Sequence, residues 1–177
     1  MKKVAFYTLG CKVNTYDTEA LAEMFEKKGY EVVNFQDVAD VYVINTCTVT
    51  NLGDRKSRQM IRKAKKMNDD AVIVVAGCYA QTAPDEVIEI PEVNLVIGNK
   101  DRKNIVGWVE EIQRKERHKI NAVGNIMKEE DFEELSVYEM KGKTRAFIKV
   151  QEGCNQFCSY CIIPFARGPI RSRKPES

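Results

Sequence analysis

AVIVVAGC, residues 71–78, is the stretch on which the fold turns: the most hydrophobic run in the chain, closed by a glycine and a cysteine. Its β-branched, apolar composition reads as a strand. VYVINTC (41–47) is a second such run, a central strand by composition, and VAFYTLGC (4–11) carries a third over residues 4–9. Helical patterns lie between them. Residues 14–28 form an amphipathic repeat that stops at Gly29, and residues 51–67 form a strongly basic one. Residues 30–35 make a short second strand, Pro84 sits just inside a short helix reaching residue 89, and residues 94–97 make a fifth strand. Asp101 then caps a last helix running to about Arg117. Strands alternating with helices predict an α/β domain over residues 1–117: an open, mostly parallel five-stranded sheet with helices on both faces.

With 177 residues, 44% of them hydrophobic, the chain can bury one core and part of a second. A net charge of +2 implies no particular partner. The opening MKKVAFYTLG turns polar too soon for a signal peptide, and no apolar run is long enough to cross a bilayer. The expectation is a soluble, cytoplasmic protein without a membrane partner. Residues 118–144 lose all period around KEEDFEEL (128–135) and read as a linker. A new strand over 145–151 leads into GCNQFCSYC (153–161), and the chain ends in basic, proline-containing sequence. One strand and one loop cannot bury a core, so residues 145–177 are expected to be the truncated beginning of a second domain. Their last thirty residues are expected to pack poorly or against a neighbouring molecule.

Six cysteines in an intracellular chain point to metal ligands or catalytic thiols rather than disulfides. Cys11, Cys47 and Cys78 each lie just past the carboxyl end of a strand. In an open parallel sheet those ends share one edge, where ligands bind. Gly10 and Gly77 precede two of them and let backbone approach a bulky ligand. A single cysteine so placed is commonly just a small buried hydrophobe. Three at equivalent places suit a metal or iron–sulfur cluster with an open coordination position, and the following helix starts favour thiolates.

Cys154, Cys158 and Cys161 are packed closely on one loop. A structural zinc site wants four ligands, no fourth cysteine follows, and the only histidine, His118, is far upstream. Three-cysteine ligation leaves one iron of a four-iron cluster open to a substrate or cofactor.

That Cys-x3-Cys-x2-Cys loop resembles the one in radical S-adenosylmethionine enzymes. GCNQFCSYCIIPFARGPIRSR (153–173) is similar to the version found in methylthiotransferases. TLGCKVNTYDTEAL (8–21), VINTCTVTNLGDRKSRQMIRKA (43–64) and VVAGCYAQ (74–81) resemble the three cysteine motifs of that family's amino-terminal domain. The wording around Cys11 and Cys47 is most like the branch acting on threonylcarbamoyladenosine beside the tRNA anticodon. Sister branches act on isopentenyladenosine in tRNA and on an aspartate of a ribosomal protein.

The resemblance implies a radical S-adenosylmethionine methylthiotransferase with two 4Fe–4S clusters, S-adenosyl-L-methionine and a reductant protein. It implies that Cys154, Cys158 and Cys161 hold the cluster that binds and reduces S-adenosylmethionine, and that Cys11, Cys47 and Cys78 hold an auxiliary cluster carrying the inserted sulfur. Full-length members have a radical-enzyme barrel and a small RNA-binding domain, so these 177 residues alone are expected to be inactive.

Basic residues in 51–67 suggest nucleic acid, although lysine-rich helix faces are usually only solvated. Arg55, Arg58 and Arg62 are candidates for contact with the tRNA anticodon stem-loop or for positions near the first cluster. Arg167, Arg171 and Arg173 are ambiguous between RNA contact and packing; Phe157 and Tyr160 are expected to be buried beside the cofactor. A flavodoxin-like sheet that binds metal without catalysis is the non-enzymatic alternative, and TLGCKVNTYDT lacks the Ser/Thr-rich phosphate cradle of a flavin mononucleotide site.

Overall fold

In a computed structural model, residues 1–48, 51–115, 118–139 and 145–177 are described. The three apolar runs become the central strands β1 (Lys3–Thr8), β3 (Val41–Thr46) and β4 (Val72–Gly77). Two short strands extend the sheet, β2 (Glu31–Val33) and β5 (Leu95–Ile97). A sixth, β6 (Ile120–Asn121), lies inside the segment read as a linker, pairing with β5 through Leu95 and Val96. All pairings are parallel and the strand order is β2-β1-β3-β4-β5-β6.

Side-chain alternation along the strands assigns the helices to faces. Val4, Val41, Val43, Val72 and Val74 meet Leu21 and Phe25 of α1 (Lys12–Lys27) and Ile105, Val109 and Ile112 of α5 (Ile105–Arg114). Their neighbours Ala5, Tyr42, Ile44, Ile73 and Val75 point the other way. They meet Met60, Ile61 and Ala64 of α2 (Asn51–Met67), Tyr79 and Ala80 of α3 (Cys78–Thr82), and Val87 of α4 (Pro84–Ile88). The α/β reading therefore holds, with six strands rather than five. Asp101 is not a cap: it sits at φ 57° with no capping hydrogen bond, and a 3-10 turn at Arg102–Asn104 precedes α5. The expected helix end at Arg117 lies outside the described residues, as does the end of the expected linker at 140–144.

Beyond residue 144 the expected strand over 145–151 shrinks to β7 (Gln151–Glu152), antiparallel to β8 (Arg171–Ser172), with α6 (Ile163–Arg167) between them. Poor packing is not what this segment shows. Ala166, Arg167, Arg171, Lys149 and Glu152 are buried, and Asn99 of the first domain donates to the Ala166 carbonyl at 2.7 Å. The in–out pattern is inverted: Ile148 and Val150 are 77% and 62% exposed while the charged Lys149 is buried.

Candidate metal centres

Because β1, β3 and β4 are adjacent and parallel, their carboxyl ends lie side by side. Register carries the point further. Thr8 is level with Asn45, and Thr46 is level with Gly77, so the residues that follow, Cys47 and Cys78, leave the sheet at one height. Strand order reverses between β1 and β3, and such switch points are where open α/β sheets bind ligands.

Cys11 is the exposed N-cap residue of α1, with extended backbone and no capping bond from its side chain. Cys47 is half-buried and follows β3; Cys78 is buried and opens α3. Burial pushes the Cys78 thiol up, and the neighbouring Cys47 and Cys11 push the same way. Arg167 and a hydrogen bond from Asn99 Nδ2 to its sulfur, at 3.6 Å, oppose this.

The backbone before these cysteines is shaped for close approach. Gly10 adopts φ +103°, and a Cβ there would stand 2.7 Å from Cys47 Cβ and 2.8 Å from Cys47 Sγ. Gly77, at φ +93°, leaves room only for the Asn45 side chain and Thr46 backbone. Any other residue at either place meets both strain and collision.

A buried polar lattice holds the three strand ends together, and sequence reading missed it. Asn14 of α1 donates from Nδ2 to the carbonyls of Leu9 (2.7 Å) and Thr46 (2.9 Å). Asn45 donates to the Asn14 carbonyl and to Thr18 Oγ1, both at 3.0 Å. Thr46 Oγ1 donates to the Ala76 carbonyl at 2.6 Å. Polar side chains inside a helix and a strand carry no signal of their own. The hint was their place directly beside the cysteines.

Among the described residues, no three His, Cys, Asp or Glu side chains stand as a set that could hold a metal ion. The first trio thus shares a rim without forming a closed ligand set. Its surroundings fit a bulky thiolate-bound cluster nonetheless: three thiols at one end of the sheet, a glycine at position 10 whose missing side chain leaves Cys47 Sγ its space, and an Asn99 Nδ2 that donates to Cys78 Sγ at 3.6 Å. That chemistry suits soft iron–sulfur ligation better than a hard cation.

The second trio lies on the loop between β7 and α6. Cys154 N–H donates to the Gly168 carbonyl at 3.1 Å and Cys161 N–H to the Cys158 carbonyl at 2.9 Å, drawing the loop into a tight turn. Phe157 takes φ 47° and stacks edge-on with Phe165 at 5.8 Å. Phe157 and Tyr160 are exposed, not buried as expected.

Beneath the rim lies an ionic cluster. Asp17 of α1 accepts from Arg102 and Lys149 at 2.7 Å each and from Arg167 at 3.3 Å. Glu152 faces Lys149 at 3.4 Å and Arg102 at 3.5 Å and pairs with Arg167; Glu133 pairs with Arg102 at 2.7 Å. Burial alone would raise the Asp17 carboxyl, but Arg102, Lys149 and Arg167 outweigh it and hold Asp17 well below the usual carboxylate range. Glu152 is lowered by the same balance. Arg171 also faces Glu152, at 3.8 Å, so both Arg167 and Arg171 are buried in the ionic cluster.

The basic residues of α2 form a separate feature. Arg55, Arg62, Lys63 and Lys66 line an open groove, and Arg58, on the same groove, pairs with Glu86 of α4. Among the described residues, no helix is long and apolar enough to cross a membrane.

A doubly wound domain with cysteines along its ligand-binding rim is the class these features define, and the chain belongs to the family described as uncharacterized protein family UPF0004, which it matches over residues 3–98. It is 57% identical over 176 residues to the threonylcarbamoyladenosine tRNA methylthiotransferase MtaB of Bacillus subtilis (strain 168), an alignment covering 99% of this chain and 39% of that protein. The MtaB protein of Aquifex aeolicus (strain VF5) is 49% identical over 170 residues, 96% of this chain and 41% of that one. The ribosomal protein uS12 methylthiotransferase RimO of Prochlorococcus marinus (strain MIT 9215) is 38% identical over 179 residues, 100% of this chain and 38% of that one. The chain thus spans about two fifths of the length of these relatives. The resemblance to methylthiotransferases read from the motifs is borne out.

Proposed function

We propose that this chain forms the sulfur-inserting portion of a tRNA methylthiotransferase, the whole protein adding a methylthio group to C2 of N6-threonylcarbamoyladenosine next to the anticodon. The observation that carries the reading is the placement of Cys11, Cys47 and Cys78 at the carboxyl ends of three adjacent parallel strands, beside the switch point of the sheet. Higher identity to the two MtaB proteins than to RimO supports the threonylcarbamoyladenosine branch.

In this reading Cys11, Cys47 and Cys78 hold one 4Fe–4S cluster, and Cys154, Cys158 and Cys161 hold another that binds S-adenosyl-L-methionine. When bound, the two clusters supply radical generation and sulfur donation. The chain's own residues do the positioning. Gly10 and Gly77 let the backbone close around the first trio, and Asn14 ties the Cys11 and Cys47 loops to one side chain. Burial limits water at Cys78 and in part at Cys47, while Cys11 stays exposed. The groove on α2 presents Arg55, Arg62, Lys63 and Lys66 for tRNA phosphates.

Anaerobic reconstitution with iron and sulfide tests the assignment. The chain should bind iron at both trios, and replacing Cys11, Cys47 and Cys78 by alanine should remove roughly half of it. Equal iron and sulfide in both proteins refutes the first site. The substrate branch is read by mass spectrometry of tRNA nucleosides from cells lacking the whole protein: 2-methylthio-N6-threonylcarbamoyladenosine should vanish while its unthiolated precursor persists.

A further inference from the structure

The two cysteine sets are joined through one side chain. Arg167 closes the short helix that follows Cys161, yet its guanidinium is buried in the first domain. Its Nη2 donates to Oδ1 of Asn14 at 2.5 Å, and its Nη1 donates to Oδ2 of Asp17 at 3.3 Å and to Glu152. Asn14 spends its own amide N–H groups on the carbonyls of Leu9 and Thr46, the backbone leading into Gly10-Cys11 and into Cys47. One residue earlier, the Ala166 carbonyl accepts from Asn99, whose amide also donates to Cys78 Sγ. The end of α6 therefore reaches the surroundings of all three cysteines of the first trio.

Charge balance points the same way. In the buried cluster four cations, Arg102, Lys149, Arg167 and Arg171, face three carboxylates, Asp17, Glu133 and Glu152. One positive charge is left over among these residues. A metal-bound trio of thiolates would supply buried negative charge of that kind, and buried charges are tolerated only when paired. Of the four, Arg167 hydrogen-bonds the side chain that organises the Cys11 and Cys47 loops.

We propose that Arg167 is a positioning residue for the first cysteine centre, so that the segment bearing Cys154, Cys158 and Cys161 completes the site formed by Cys11, Cys47 and Cys78. This rests on the cluster reading above. Arg167 supplies the cation facing the thiolate-bound group and, through Asn14, sets the separation of two of its ligand loops. Lys149 offers the internal comparison, since it serves Asp17 and Glu152 as Arg167 does but makes no hydrogen bond to Asn14.

The test uses the full chain with Cys154, Cys158 and Cys161 replaced by alanine, leaving only the first trio to be loaded by anaerobic reconstitution. Into it are placed Arg167→Gln, Arg167→Lys and Lys149→Gln. Arg167→Gln should lose at least half of the bound iron, and the cluster that remains should have a more negative midpoint potential because a nearby positive charge is gone. Arg167→Lys should regain most of the potential while its electron paramagnetic resonance signal stays altered, because an ammonium cannot reach Asn14, Asp17 and Glu152 together. Lys149→Gln should lower thermal stability and move the potential less than Arg167→Gln does; a shift as large as that of Arg167→Gln overturns the special role of Arg167. Should Arg167→Gln not fold, Arg167→Lys alone decides, and a wild-type spectrum there overturns the proposal. Iron content and potential unchanged in Arg167→Gln overturn it while the cluster reading stands. A parent that takes up no iron sinks both.

Discussion

Replacing Asp17 by alanine probes the ionic cluster where its charges converge. The carboxylate is 2% exposed and contacts Arg102 and Lys149 at 2.7 Å and Arg167 at 3.3 Å. Removing one member of a buried ion pair costs about 3–5 kcal/mol, chiefly because the partner is left buried and uncompensated. Here three cations lose a partner, but Glu152 still faces all of them, which holds the loss near the single-pair figure of about 3–5 kcal/mol. For a chain of this size each kcal/mol moves the melting temperature by about 2–4 °C, so a fall of roughly 6–20 °C is expected. Thermal unfolding followed by circular dichroism reads it, with Glu86→Ala as control. That variant breaks the half-exposed pair with Arg58 and should cost less than about 1 kcal/mol. Amide hydrogen exchange should also show β7 and α6 losing protection before the sheet does. An Asp17→Ala protein that melts within a degree or two of wild type, with α6 still protected, refutes the view that the cluster binds the second cysteine segment to the first domain.

Acid should expose the same cluster. Asp17 and Glu152 have carboxyls lowered from ordinary values of 3.8 and 4.5, so the folded state holds fewer protons than the unfolded one. Their stabilisation is complete above that ordinary range and disappears as pH falls through the lower folded values. Denaturation midpoints measured between pH 7 and pH 2 should drop steeply only below about 4, with a shallower drop in Asp17→Asn. Gly10→Ala places a methyl within 2.8 Å of Cys47 Sγ at a left-handed backbone position. Iron uptake by the first trio should fall several-fold, as read by iron analysis of the reconstituted chain. Reversing Arg55, Arg62 and Lys66 to glutamate in the whole protein should weaken tRNA binding, and each lost phosphate contact should flatten the slope of log affinity against log salt by about one. Filter binding across a salt series checks this, and an unchanged slope removes α2 from the interface.

Much of the sheet was legible because each central strand is a continuous apolar run and its helices keep a clean period. The sixth strand was not, since Ile120 and Asn121 are only two residues directly after a charged run and depend on β5 for their pairing. The cysteine positions could be read from strand ends alone, whereas Asn14, Asn45 and Asn99 could not: each looks like an ordinary polar residue until a distant carbonyl or sulfur arrives beside it. Residues 147–151 misled for a related reason. They were expected as part of a strand over 145–151, yet of that range only Gln151 pairs, with Ser172; within FIKVQ the buried member is Lys149, whose partners come from α1 and Glu152, and Ile148 and Val150 are exposed. Alternation shows that two faces differ, and only the partners decide which one is turned inward.

An inverted face of this kind acts as a key. Oily surfaces can slide over one another by a helical turn at little cost, because one methyl group substitutes for another. A junction of interlocked charges has a single seating: shifting α6 by one residue would withdraw Arg167 from Asn14, Asp17 and Glu152 at once. The spacing between the two cysteine loops is thereby indexed, like a gear tooth in its slot, before any substrate arrives.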